Sequence, residues 1–133
     1  MKRISLLILA AAALIISLSG CQKDIYGCTD PYAYNYNRGA NISNGSCTYY
    51  GDVTFWFGSN MANATVTING QSAVITQYYP NGAPSCNAVG CANFTLPVGT
   101  YAYTATSSQY TWGYTTPIYA TVTANGCATY LLQ

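Results

Sequence analysis

Proton transfer and acyl transfer need titratable side chains gathered in one place, and here the inventory is short. The 133 residues contain no His, and the acidic side chains are Asp24, Asp30 and Asp52 alone. The other reactive groups are six cysteines, at positions 21, 28, 47, 86, 91 and 127. A cysteine nucleophile here has no imidazole to serve as its base, and no Gly-rich phosphate loop leads into a helix. An enzyme is therefore not expected. With no His and no CxxC spacing among the thiols, a zinc site is not expected either. What they can do is pair, or carry a covalent group. Charge narrows the partners further. Beyond residue 20 only Lys23 and Arg38 oppose the three aspartates. Nucleic-acid binding needs a Lys/Arg stripe to neutralise phosphates, and none exists. No basic patch favours an anionic lipid surface, so attachment to a membrane would have to come from covalent lipid.

Cys21 is placed to carry that lipid. Met1-Lys2-Arg3 is a basic start, and residues 4–18, ISLLILAAAALIISL, form an apolar run shorter than the roughly 20 residues of a spanning helix. Leu18-Ser19-Gly20-Cys21 follows and resembles the bacterial lipobox: an apolar residue, two small residues, then the cysteine that receives a diacylglyceryl thioether. The resemblance implies removal of residues 1–20 and N-acyl and diacylglycerol lipid on Cys21, with no other cofactor. Gln22-Lys23-Asp24 behind it resembles the short sorting signal of surface lipoproteins of Bacteroidetes-type bacteria, although Ile25 stands where a second acid is usual. Together these imply an outer-membrane lipoprotein exposed at the cell surface, with residues 21–27 as a solvated tether.

Residues 28–49 form a second unit. Asp30-Pro31 and Asn44-Gly45 are turn dipeptides, and the asparagines between them favour local side-chain-to-backbone bonds over regular structure. The stretch Gly27-Cys28-Thr29-Asp30-Pro31, Ala33, Asn35-Tyr36-Asn37, Ala40, Gly45-Ser46-Cys47 resembles a Cys-bracketed motif, GCTDPxAxNYNxxAxxxxGSCxY, of secreted and surface proteins of the same bacteria. A Cys28–Cys47 bridge closes such a loop and stabilises it by about 3 kcal/mol on the chain-entropy argument. Oxygen-rich loops invite Ca²⁺, but that ion wants several carboxylates and Asp30 is the one available. A disulfide-held cap is the expectation, without metal.

Residues 51–133 must then supply the fold. Tyr, Thr, Asn, Gly and Ala dominate, a composition of strands and turns. Residues 52–57, DVTFWF, alternate with Val53, Phe55 and Phe57 on one face. Asn69-Gly70 between ATVTI and QSAVIT is a strong hairpin signal, because both turn positions need φ > 0. It predicts Ile68 opposite Gln71, Val66 opposite Ala73 and Ala64 opposite Ile75. Residues 80–90 read as a loop, and Cys91-ANFTL-Pro97 as a strand. Leu96-Pro97-Val98-Gly99-Thr100-Tyr101 and the alternating residues after it resemble the LPxGxYxxxA segment of PEGA-like and carboxypeptidase-regulatory-like modules, which implies a turn between two strands of the sandwich. Residues 117–124 and 127–133, separated by Asn125-Gly126, complete about seven strands: an all-β, small antiparallel sandwich of immunoglobulin- or transthyretin-like kind. GCANFTL at 90–96 and GCATYLL at 126–132 echo one another over too few residues to establish a repeat.

Setting Cys21 aside leaves five cysteines, one of which has no partner within the chain. The favoured pairs are Cys28–Cys47 and Cys86–Cys91, with Cys127 left as a small buried hydrophobe; Cys91–Cys127 is the rival. The aromatic content is high, with 14 Tyr, two Trp and three Phe. Core filling and cross-strand pairs account for most. Tyr110, Trp112 and Tyr114, at two-residue rhythm in a loop-like segment, are the candidate ligand platform. Three functional readings stand: a non-catalytic structural, adhesive or protein-interaction module of the envelope; a glycan-binding lipoprotein with Trp112 or Trp56 exposed beside Asn or Asp; and a self-assembling subunit that pairs through an edge strand or Cys127. The implied partners are the membrane, through the anchor, and a glycan or an envelope protein.

Overall fold

Asn69 and Gly70 have φ of 49° and 74°, the left-handed pair that a two-residue hairpin turn demands. The turn joins strands Ala64–Ile68 and Gln71–Ile75, and their register pairs Ile68 with Gln71, Val66 with Ala73 and Ala64 with Ile75, as predicted. The computed structural model describes residues 22–133, and every regular element among them is a strand. In chain order these are β1 (Tyr26–Gly27), β2 (Ile42–Ser43), β3 (Tyr50–Phe57), β4 (Ala64–Ile68), β5 (Gln71–Ile75), β6 (Ala92–Pro97), β7 (Gly99–Ser107), β8 (Thr111–Trp112), β9 (Ile118–Val122) and β10 (Cys127–Leu132). The all-β expectation holds.

Two sheets make the sandwich. One has the order β10-β3-β6; the other has the order β5-β4-β7, with β8 and β9 both pairing along the far edge of β7. The Leu96-Pro97-Val98-Gly99 segment makes the expected turn between two strands, and the structure places those strands in different sheets. Asn125, at φ 51°, ends the turn after β9 and sends the chain back. Because β9 belongs to the second sheet, β10 enters the first one alone and runs parallel to β3, with Cys127 beside Asp52 and Leu132 beside Phe57. This is the one parallel pair of the sandwich, and the whole chain between β3 and β10 serves as its crossover.

Alternation fills the space between the sheets. Val53, Phe55 and Phe57 of β3 and Phe94 and Leu96 of β6 share one buried cluster with Ala64, Val66 and Ile68 of β4, Tyr103 and Ala105 of β7 and Val122 of β9. Phe55 sits at the centre, with ring centroids of Tyr103, Tyr130 and Phe94 at 4.5, 5.4 and 5.9 Å. Its strand is buried on its other face too. Thr54 is fully buried and Trp56 nearly so, because residues 76–91 fold back as a strap across the outside of the first sheet. The strap is fastened by Tyr79 N–H donating to the Phe57 carbonyl and by Asn87 N–H donating to Thr54 Oγ1 at 3.1 Å. Thr54 Oγ1 in turn donates to Asn93 Oδ1 at 2.9 Å, which leaves no buried hydroxyl unpaired there.

The Cys-bracketed segment is irregular apart from β2, which pairs in parallel with β1 so that Tyr26 and Gly27 of the expected tether are bound to it, and it packs on the sandwich rather than hanging from it. Val98 N–H donates to the Tyr49 carbonyl at 3.0 Å, Asn125 Nδ2 donates to the Tyr32 carbonyl at 3.3 Å, and the Tyr34 ring packs on Tyr50 with centroids 4.9 Å apart.

Within this segment the Tyr49 hydroxyl donates to Asp30 Oδ2 at 2.6 Å, and Tyr32 N–H donates to Asp30 Oδ1 at 2.9 Å. Both favour the charged carboxylate. The Tyr49 bond, and after it the Tyr32 bond, hold the Asp30 pKa below the ordinary 3.8. A depressed folded value stabilises the fold above the unfolded value, and that contribution disappears as pH falls through the folded one. Asp30→Asn is therefore expected to flatten the acid limb of the stability curve below pH 3.8 and to leave it unchanged near neutrality beyond a constant offset. Urea midpoints measured at successive pH values check this.

Candidate functional site

The sequence-predicted residues fall into three groups. Cys21 lies outside the described residues. Cys28 and Cys47 pair as expected, with Cα atoms 4.8 Å apart. The second bridge corrects the expectation: Cys86 pairs with Cys127, Cα atoms 6.1 Å apart, and Cys91 is the free, buried thiol. Strand alternation explains the exchange of roles. Ala128, Tyr130 and Leu132 turn toward the core side of β10, so Cys127 stands outward, where the strap passes. Cys91 precedes Ala92, whose side chain points into the core, so the thiol faces the sheet's other side beneath the strap. Two successive turns, Ala88 N–H to Ser85 O and Cys91 N–H to Ala88 O, with Asn87 at φ 59° between them, direct Cys86 and Cys91 apart. Burial pushes the Cys91 thiol up, against a hydrogen bond with Tyr79 that lowers it. Cys91 is expected to resist a thiol reagent in native protein and to react after unfolding, as colorimetric thiol titration with and without guanidinium will report.

Tyr110, Trp112 and Tyr114 do not form one plane. Trp112 turns inward: its ring lies 5.9 Å from that of Phe57, and its Nε1 donates to the Gln133 carbonyl at 2.7 Å. Tyr110 leans on it from the exposed side, also at 5.9 Å. Tyr114 goes elsewhere, onto the outer face of β7, where its hydroxyl accepts from Thr106 Oγ1 at 3.0 Å. Gly113 at φ 78° breaks the two-residue rhythm. A side chain at position 113 would collide with the Tyr103 carbonyl oxygen, which only glycine avoids. Trp56 is nearly fully buried. Neither tryptophan presents a free face beside Asn or Asp.

Polar groups converge instead at the end of β3. Tyr50, Gly51 and Asp52 of that strand, Thr95 of β6, and Asn125 and Gly126 of the turn before β10 line an open cavity of about 330 Å³, near the lower bound for small-molecule sites. Asp52 is its one charged group. Its Oδ1 accepts from Thr95 Oγ1 at 2.6 Å and its Oδ2 from Asn87 Nδ2 at 3.0 Å. The walls are tied to each other. Asn125 N–H donates to the Tyr50 carbonyl at 2.7 Å, and Asp52 N–H to the Gly126 carbonyl at 2.8 Å. Gly51 permits that closeness, because a Cβ there would meet the Thr123 carbonyl oxygen. The Cys86–Cys127 bridge lies alongside, with Cys127 beside Asp52 in the register and Cys86 next to Asn87 in sequence. Tyr34 and Tyr32 of the Cys-bracketed segment buttress Tyr50 and Asn125. Sequence reasoning did not single out this site. Asp52 is the lone acid of residues 51–133, which was the one signal available.

No protein-family model, curated protein or solved structure matches the chain.

Proposed function

We propose that this chain is a non-catalytic lipoprotein of the cell envelope, cleaved before Cys21, held to the outer membrane by acyl chains on that residue and displayed at the surface as a structural, adhesive or interaction module. The observation that carries this reading is the cysteine behind Leu18-Ser19-Gly20, at the end of a basic and then apolar leader. The two disulfides support it. Such bonds persist in oxidising compartments outside the cytoplasm, and here they staple a body of roughly a hundred residues, a size at which one modest core gives limited stability.

Cys21→Ser in the full-length gene is expected to abolish incorporation of labelled fatty acid and to release the protein from the membrane fraction. Continued acylation of the variant would overturn the anchor. Surface display rests on Gln22-Lys23-Asp24. Replacement of Lys23 and Asp24 by alanine is expected to make the protein resistant to protease added to intact cells, and unchanged digestion removes that part of the reading. A glycan-binding role is the second reading, and the cavity at Asp52 favours it over the aromatic segment at 110–114. Cys127 is engaged within the chain, so covalent pairing of copies through it forms no part of the proposal.

A further inference from the structure

The cavity at the end of β3 has features that select a class of ligand. A carboxylate can accept about four hydrogen bonds, and Asp52 uses one on each oxygen, from Thr95 and from Asn87. Each oxygen retains acceptor capacity, and the two existing donors hold the group in one orientation. Around it stand two groups that both donate and accept, the Thr95 hydroxyl and the Asn125 amide, while Gly51 and Gly126 form the wall between them. Tyr50 adds an aromatic border, its ring steadied by Tyr34. A phosphate or carboxylate ligand would meet like charge at Asp52. A metal ion lacks its ligand set, since no group of three or more His, Cys, Asp or Glu that could hold one exists among the described residues. A sugar fits the chemistry: adjacent hydroxyls donate to the two carboxylate oxygens, further hydroxyls exchange bonds with Asn125 and Thr95, and the C–H face of the ring lies against tyrosine.

We propose that the Asp52 cavity is a binding site for a neutral sugar residue presenting adjacent hydroxyls, at the terminus or a branch of a glycan. The cavity is open rather than enclosed, which suits one residue of a longer chain. Its walls come from the sandwich, β3, β6 and the turn before β10, with the Cys-bracketed segment packed against Tyr50 and Asn125 and Asn87 of the strap bonded to Asp52. The segment thereby acquires a part in recognition, as the buttress of Tyr50 and Asn125. Such preorganisation keeps low the ordering cost of an otherwise weak polar site. The inference rests on the body being a recognition module and is independent of the lipid anchor.

Calorimetric titration of the full-length protein, purified in detergent, with the methyl glycosides of glucose, galactose and mannose tests it. At least one is expected to bind saturably, with an affinity insensitive to salt. Asp52→Asn keeps an acceptor for one of the two existing donors but forfeits the charged acceptor pair, and is expected to weaken binding about tenfold or more. Asn125→Gly keeps the left-handed turn while removing the amide, and is expected to weaken it by a smaller factor. Thermal melts establish that both variants are folded. Absence of saturable binding by all three glycosides overturns the site. So does binding that both variants retain, or binding abolished by Trp112→Ala alone, which would return the ligand to the 110–114 segment. Acylation of Cys21 is read separately, so failure of the sugar site and failure of the anchored-module reading are distinguishable.

Discussion

Replacing Cys86 and Cys127 together by serine is expected to lower the unfolding free energy by about 4 kcal/mol, the largest effect of any change at the surface of this protein. The two cysteines lie 41 residues apart in sequence, and the chain-entropy cost of closing a loop rises with its length. The same argument gives about 3 kcal/mol for Cys28–Cys47, whose separation is 19. More than entropy is at stake in the longer loop. The bridge ties the strap to β10, whose Leu131 lies beside Trp56 in the register, so its loss should let water reach Trp56 and the Cys91 thiol at the strap's end. Three readouts should move together: a lower urea midpoint, a red shift of native tryptophan fluorescence, and alkylation of Cys91 without denaturant. Both cysteines have to be replaced. Cys127→Ser alone leaves Cys86 and Cys91 five positions apart and free to pair, which would trap the strap in a different path. A fall in stability of less than about 1 kcal/mol, with Cys91 still protected, would mean that the strap's hydrogen bonds hold it without the bridge.

What the sequence disclosed follows the range of each signal. The β4–β5 hairpin is local: Asn69-Gly70 sets the turn, alternation sets the faces, and together they leave a single register. The turn at Pro97 and Gly99 is also local, since proline ends ladder pairing and glycine begins the next strand, but the passage of that strand into the other sheet is not. The partner of β10 is not. Asn125-Gly126 announces a turn, but the same dipeptide would serve a hairpin onto β9 or, as here, a return to the other sheet beside β3. The misassigned bridge was closer to hand. Once β10 is a strand with Ala128, Tyr130 and Leu132 inward, Cys127 must face outward, and an outward cysteine cannot be the buried one. That step needs only period two.

The candidate site was illegible for a different reason. Tyr50 to Asp52, Asn87, Thr95 and Asn125 are contributed by four separate parts of the chain, and none belongs to a recognisable motif. Asp52 reads as the polar start of a strand, and Asn87 and Asn125 as turn residues, which they are. Each has a local role that conceals the shared one. The aromatic segment drew notice because its residues are adjacent in sequence. Gly113, between Trp112 and Tyr114, is what separates them in space.

Phe55→Ala is expected to cost about 4 kcal/mol, within the range of large-to-small aromatic changes in cores. Phe55 has no exposed surface, and its ring touches neighbours from both sheets, Phe94 and Tyr130 on its own and Tyr103 opposite. Collapse into the vacated space would require β3 to move, yet β3 is the central strand of its sheet, paired along β10 on one side and β6 on the other. The cavity should therefore persist, which is the condition for a cost in the upper part of the range. Small domains have only about 5–15 kcal/mol in all, so the variant should be folded in buffer but unfold at a fraction of the native urea midpoint. A loss below about 2 kcal/mol would show that Tyr103 and Tyr130 swing into the gap, and a recovered near-ultraviolet tyrosine signal would accompany it. The same strand carries Tyr50 and Asp52 at its other end. If β3 stays in place as argued, the folded fraction of Phe55→Ala should retain whatever binding the native Asp52 cavity has, which separates the strand's two duties: holding the sheets together and presenting a carboxylate at their rim.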